Sequence, residues 1–430
     1  MAFPKFTFTS LMTIVGMVSL VLPATPSNVR QKNEPAPKSA KSTAPAGCNQ
    51  RATEPLMLVD LPGPPFQAIP SRNGCWIFVS LTTSQADRQG KIAVLKRSGG
   101  QISVARVVPV EGNPTGMALT HDGKLLVVAS SVKVAFLDTQ RLISGEGDPV
   151  LDYWSDDPTI PGRVYVNVTA DDRYLFVSDE RTQTITVLNL AQARKSGLAA
   201  ASAIGKIPVG RAPIALTFSP SGRYLYTTSQ AMPQSNWPLE CKPEAAPAGT
   251  APDHTQGAVL VVDVKRAKSD PAKSVIATIQ AGCNPVRLVL SPKGKVAYVT
   301  ARGSNSLLAF STRKLRRDPE HALIGKLTVG TAPVGMAVID RGRKIVVTNS
   351  NRFAGGADDR QSLTVVDVTK IFSGTATILG SIPAGAFPRE MRLTTDRRTL
   401  LLTNFNSRTL EVIDLKRLPI EPLRPETISR

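Results

Sequence analysis

The chain has 430 residues, 42% hydrophobic and 5% aromatic, which is ample for a large buried core and excludes a polar, core-less chain. Lysine and arginine exceed aspartate and glutamate by enough to give a formal charge of +19. A surplus of this size favours anionic partners such as nucleic acid, anionic polysaccharide or lipid headgroups, or a cationic face that is simply solvated.

The chain opens "MAFPKFTFTSLMTIVGMVSLVLPATPS". Lys5 supplies a positive start, Leu11–Leu22 an apolar run shorter than a membrane span, and the small residues near Ala24 a cleavage zone. Residues 1–24 are therefore expected to be a signal peptide, removing Lys5 and leaving the basicity with the mature protein. Residues 25–54, rich in Pro, Ala, Lys and Ser without apolar period, read as a disordered tether. "PAGC" at Cys48 lies too far past the apolar run to be a lipoprotein box.

From residue 55 a unit repeats. "VEGNPTGMALTHDGKLLVVASS" begins at 110, "VGRAPIALTFSPSGRYLYTTSQ" at 209, "AGCNPVRLVLSPKGKVAYVTAR" at 281, "VGTAPVGMAVIDRGRKIVVTNSN" at 329 and "AGAFPREMRLTTDRRTLLLTNFN" at 384. Each reads as a strand, a tight turn and a second strand. Nine residues separate a leading residue from the turn: Pro114 to Gly123, Pro213 to Gly222, Pro285 to Gly294, Pro333 to Gly342 and Pro388 to Arg397. Two degenerate copies, Pro65 to Gly74 and Arg163 to Asp172, keep that spacing. The starts lie 49, 49, 50, 72, 48 and 55 residues apart. Each unit continues into a third strand ending near an Asp, as in "KVAFLDT" and "VLVVDVK", and then a fourth.

Seven units of four antiparallel strands predict an all-β, seven-bladed β-propeller over 55–418, followed by a tail at 419–430. The last unit ends after its third strand, so Leu56–Leu61 is expected to complete that blade and close the ring.

The repeat resembles the YVTN family, whose units carry a "VG–P–S-P-G–YVTN–V-ID" pattern; "VGRAPIALTFSPSGRYLYTTS" and "AGCNPVRLVLSPKGKVAYVTA" are close matches. The resemblance implies an exported bacterial propeller related to lactonase-type propellers. The unit at 153–192 departs furthest, lacking the G-x-x-P turn.

Strand order assigns the loops to two faces. The tight turns carry Lys293, Lys295, Arg341, Arg343, Lys344, Arg397 and Arg398, the candidate polyanion-binding residues. The third-to-fourth loops on that face add further cations, among them Arg97, Lys268 and Arg316. The opposite face has longer, more varied loops, notably 231–256 and 351–361. There Arg211, Arg287, Arg302, Asn349, Arg389, Glu390 and Asn404, with Arg163 and Asn351 nearby, are expected to line a funnel for a small anionic or polyhydroxylated ligand.

Four cysteines in an exported chain suggest disulfides. Loop positions favour Cys241–Cys283, pinning the long loop, and Cys48–Cys75, stapling the ring closure. His121, His254 and His321 lack metal-ligand spacing, and Asp358-Asp359 is a weak calcium signal, so no metal and no cofactor are expected. Absence of C-x-x-C-H excludes covalent haem.

These features favour an exported, periplasmic or secreted, non-enzymatic and monomeric binding or scaffold protein. One alternative is a lactonase-like hydrolase acting on a lactone or sugar acid, with Glu390, Glu180 or Asp179 beside Arg389 as base. Another is binding of nucleic acid or an anionic envelope polymer.

Overall fold

Each leading residue of the repeat sits in an innermost strand. In the computed structural model these strands are Pro65–Pro70, Pro114–Leu119, Arg163–Val168, Arg211–Pro213 with Thr217–Phe218, Pro285–Leu290, Pro333–Ile339 and Pro388–Leu393. A proline fits the first position of such a strand because its missing N–H interrupts no ladder. The structure describes residues 48, 50–84, 88–232, 241, 255–351 and 361–422. The expected signal segment, the tether to residue 47 with residue 49, most of the 231–256 and 351–361 loops, His254 and Asp358-Asp359 lie outside the described residues.

Seven antiparallel sheets form, each from consecutive strands except the last. In that blade Leu56–Asp60 pairs with Thr409–Asp414, from Leu56 opposite Ile413 to Asp60 opposite Thr409. The ring is therefore closed by the N-terminal strand, as expected. Blades bury their faces against one another; Phe176, Ile185, Leu225 and Leu260 share one inter-blade core, and Val79, Leu95, Leu401 and Val412 another across the closing seam. In blade 4 the inner strand is split, because Ile214–Leu216 leaves the ladder where the sequence reads as one strand.

The nine-residue spacing has a backbone cause. Its end residue has positive φ in every blade: 72° at Gly74, 73° at Gly123, 53° at Asp172, 68° at Gly222, 64° at Gly294, 93° at Gly342 and 54° at Arg397. Glycine adopts this region without strain, so five of the seven copies carry it.

The threonine of "YVT" also has a physical role. Fifteen residues after the blade start, a Ser or Thr hydroxyl accepts the N–H of the third inner-strand residue, as Ser80 does from Gln67 (3.2 Å), Thr228 from Ala215 (3.2 Å), Thr300 from Arg287 (3.1 Å) and Thr403 from Glu390 (3.2 Å). The same hydroxyls donate across the seam to a carbonyl of the next blade: Thr115, Val286, Val334 and Phe66 respectively. Blade 2 has Ala129 at that position, and there the Thr115 hydroxyl makes the crossing bond instead, to Val164 at 2.9 Å.

The Asp that ends the third strands is a cap. Asp138, Asn189, Asp263 and Ser311 accept a main-chain N–H and start short helices, Thr139–Ser144, Leu190–Ser196, Val264–Ala267 and Thr312–Arg317. The all-strand reading missed these helices, whose single turn or two is too short for a visible helical period.

Both expected disulfides are present, Cys48–Cys75 and Cys241–Cys283. Such bonds fit an oxidising, non-cytosolic setting. Among the described residues no helix is long and apolar enough to cross a membrane. Chain assigned to the tether is packed from residue 50: Ala52 is buried, and Gln50 and Thr53 offer carbonyls to Arg97 and Arg417, both at 3.1 Å. At the other end Glu421 exchanges two main-chain hydrogen bonds with Ser381 on the outer edge of blade 6.

Candidate ligand site in the central channel

The inner strands of a propeller converge on its axis, so their third residues decide whether the channel is open. Around the ring these are Gln67, Gly116, Tyr165, Ala215, Arg287, Gly335 and Glu390, with small residues separating large ones. The spacing matters: a Cβ on Gly116 would lie 2.3 Å from the ring carbon Cδ1 of Tyr165.

Three of the large residues meet. Glu390 accepts the Tyr165 hydroxyl at 2.9 Å and the Arg287 Nε at 2.9 Å, and Arg287 Nη2 also reaches its Oε1. The Arg287 guanidinium lies 3.9 Å from the Tyr165 ring centre. This cluster from blades 3, 5 and 7 partitions the channel. Burial pushes the Glu390 carboxyl well above its usual range, against the positive charge of Arg392. The same burial, with Arg389 and Arg392 close by, pulls Arg287 well below an ordinary guanidinium. Two-point pairing opposes both effects, and because a guanidinium keeps its proton in proteins, the pair is ionic.

On the tight-turn side of the partition is a cavity of about 670 Å³. Its floor is Tyr165, Arg287 and Glu390; its walls include Arg392, Asn167 and Lys268, and Asp171 and Ser221 stand at the turns around its mouth. The interrupted inner strand of blade 4, Ile214–Leu216, forms one side. Asn167 holds that break by donating to the Leu216 carbonyl at 2.7 Å. The Arg392 side chain has no hydrogen bond or ion pair among the described residues and is exposed at the cavity wall. Burial around it lowers its pKa, and Glu390 works the other way.

On the opposite side lies Arg389, next to Phe66, Phe387 and Phe405. The residues grouped by sequence as one funnel are thus divided. Arg287 and Glu390 form the partition, and Arg389 lies beyond it. Asn349 is buried inside blade 6, donating to Ser362 (3.0 Å) and Thr364 (2.9 Å). Asn404 is likewise inside blade 7, donating to Thr409 (3.2 Å) and Glu411 (2.9 Å). Arg302 bonds Gln230 at 2.7 Å, and Arg211 is exposed at the start of blade 4. Arg163 pins the preceding loop through Asp156 and the Ile160 carbonyl. Asp179 accepts the N–H groups of Arg181 and Thr182, each at 2.9 Å, and so holds a turn.

The tight-turn residues Lys293, Lys295, Arg341, Arg343, Arg397 and Arg398 are exposed, and Lys344 is half-buried. Asp340 pairs with Arg343 (2.6 Å) and lies 3.6 Å from Lys344. Other cations of this face serve as staples between blades. Arg97 is buried against Asp396 at 3.1 Å, Arg316 donates to the Tyr226 hydroxyl at 2.7 Å, and Lys268 lies 4.4 Å from the Tyr174 ring centre. Tyr165 and Arg392 were not singled out from sequence. The signal for Arg392 was present in "PREMRL", where three charged residues occupy a strand that reads "PTGMAL" or "PVGMAV" in other blades. Among the described residues no cluster of His, Cys, Asp and Glu could hold a metal ion.

No family model and no curated relative matches the chain. Solved structures resemble it in fold. A chain of hydrazine synthase from Kuenenia stuttgartiensis has 16% identity and a TM-score of 0.57, covering 84% of this chain and 97% of that one. The Cps50 (Swd1) β-propeller domain of Myceliophteria thermophila has 11% identity and a TM-score of 0.56, covering 84% and 99%. A chain of a mitotic checkpoint complex has 12% identity and a TM-score of 0.60, covering 90% and 99%. At such identities the likeness shows the propeller fold alone.

Proposed function

We propose that this propeller is an exported, non-enzymatic binding protein of YVTN type that takes a small organic anion in the channel cavity on its tight-turn face. One observation carries the reading: Arg392 lines a cavity of about 670 Å³ with no anionic side chain bonded to it. A volume of that order suits a small ligand. Lys268 adds positive charge at the wall, and the ionic floor supplies polar groups already fixed in place. The hydrolase alternative draws less support. Glu390 is engaged by Arg287 and Tyr165, and Asp179 by two main-chain N–H groups, so neither carboxylate stands ready as a base.

The test is calorimetric titration of the purified protein with a panel of sugar acids and dicarboxylates. Arg392→Ala should abolish the binding seen, and charge reversal at Arg341, Arg343, Arg397 and Arg398 should leave it within twofold. Binding that survives Arg392→Ala would end the proposal. The exposed turn cations favour a second reading, adhesion to a polyanion. It requires heparin or single-stranded DNA affinity that falls steeply with salt and is lost in the charge-reversal variant.

A further inference from the structure

Arg389 occupies an unusual position for an arginine. It is half-buried in the inner strand of blade 7, on the long-loop side of the partition. Its guanidinium carbon lies 3.9 Å from the centre of the Phe66 ring and 5.5 Å from those of Phe387 and Phe405. The Nε is buried without an acceptor. Among the described residues no carboxylate forms an ion pair with this side chain, and no carbonyl accepts a hydrogen bond from it. Burial draws its pKa down to about 10, and the charge of Glu180 partly offsets this.

The guanidinium lies against the Phe66 ring, and among the described residues its N–H edge has no acceptor. A guanidinium so oriented is matched by a carboxylate, which accepts two parallel N–H bonds in one plane. Phe387 and Phe405 stand beside it with ring centres 5.4 Å apart and planes tilted by 55°. Phe405 is half-buried and so presents part of its ring to solvent. Apolar or aromatic matter next to the bound carboxylate would pack on the exposed part of the Phe405 ring.

From this juxtaposition we infer a second binding site, separate from the channel cavity, in which Arg389 takes the carboxylate of a flat aromatic acid at the long-loop mouth, beside the partly exposed ring of Phe405. The Arg389 fork binds the carboxylate and the exposed part of the Phe405 ring packs on the acid's ring, with the buried Phe387 packed against Phe405.

The experiment uses the full purified chain with benzoate as probe, followed by saturation-transfer NMR and calorimetry, with acetate and cyclohexanecarboxylate alongside. Benzoate should bind saturably and more tightly than either comparison acid. Affinity should fall at least tenfold in Arg389→Ala and in Arg389→Lys, which keeps the charge but loses the planar fork. Phe405→Ala should weaken benzoate more than acetate. It is the partly exposed position and the variant to rely on if the Arg389 variants fold poorly. Arg392→Ala, on the far side of the partition, should leave benzoate affinity unchanged, which separates this site from the cavity. No benzoate binding, equal affinity for acetate, or full affinity in both Arg389→Lys and Phe405→Ala would overturn the inference.

Discussion

Thr403 and Phe66 are 337 residues apart in sequence, and the Thr403 hydroxyl donates to the Phe66 carbonyl at 3.1 Å across the seam where the ring closes. The same oxygen accepts the Glu390 N–H at 3.2 Å, so one side chain joins the last blade to the first and fixes the strand that carries the partition.

Replacing that hydroxyl by a methyl group of equal size leaves a buried N–H and a buried carbonyl without their partner. Thr403→Val should therefore destabilise the fold by about 1–3 kcal/mol. Urea denaturation followed by circular dichroism would measure it. A change below a few tenths of a kcal/mol would show that the seam does not depend on this bond.

The partition makes a second prediction. Arg287 and Glu390 are both buried, with side chains 11% and 7% exposed. Removing one charge strands the other, so Arg287→Met and Glu390→Leu should each cost about 3–5 kcal/mol. The double variant should be more stable than either single one, because no unpaired charge is left. Equal additive losses in the cycle would mean that the two residues do not act as a pair.

Backbone strain at the turns gives a prediction of opposite sign. Arg397 holds a φ of 54° where most blades have glycine. The left-handed region costs a residue with a side chain about 1–2 kcal/mol, less the greater freedom that glycine has when unfolded. Arg397→Gly should stabilise the protein by about 0.5–1 kcal/mol, read as a higher urea midpoint at unchanged slope.

Glu411 supplies the pH dependence. Its side chain is buried in blade 7, accepts from Asn404 at 2.9 Å, and leaves Oε1 without a partner. Burial raises its pKa, with the bonds from Asn404 and the Gly385 N–H acting in the other direction. A carboxyl raised in the folded state favours folding when protonated, and that contribution is lost as pH rises through its folded pKa. Glu411→Gln cannot ionise. The stability difference between variant and parent should therefore shift in the variant's favour between pH 4.5 and pH 8, measured by urea denaturation at each pH. A difference that stays flat, or moves towards the parent, would contradict the assignment.

Much of the architecture was legible because it rests on local rules. The positive φ at the ninth residue selects Gly74, Gly123, Gly222, Gly294 and Gly342, and the short β-branched runs select strands. The cap role of Asp138 and Asp263 left a visible Asp, although the helices that they start were too brief to read. The site was less legible. Asn349 and Asn404, at strand ends, looked the same as channel-lining residues in sequence, but their amides are taken by third-strand neighbours within their own blades.

The sequence by itself determined the seven repeats, the ring-closing strand and both disulfide pairings. These depend on spacing along the chain and on the face at which each loop emerges. Only the tertiary structure decided that Tyr165, Arg287 and Glu390 meet, that the cavity opens on the tight-turn face, and that Arg389 is cut off from Arg392. Tyr165 and Glu390 are 225 residues apart, and Arg287 and Glu390 are 103 apart. Their contact depends on where non-adjacent inner strands point as the ring closes, a long-range property that no local pattern of residues encodes.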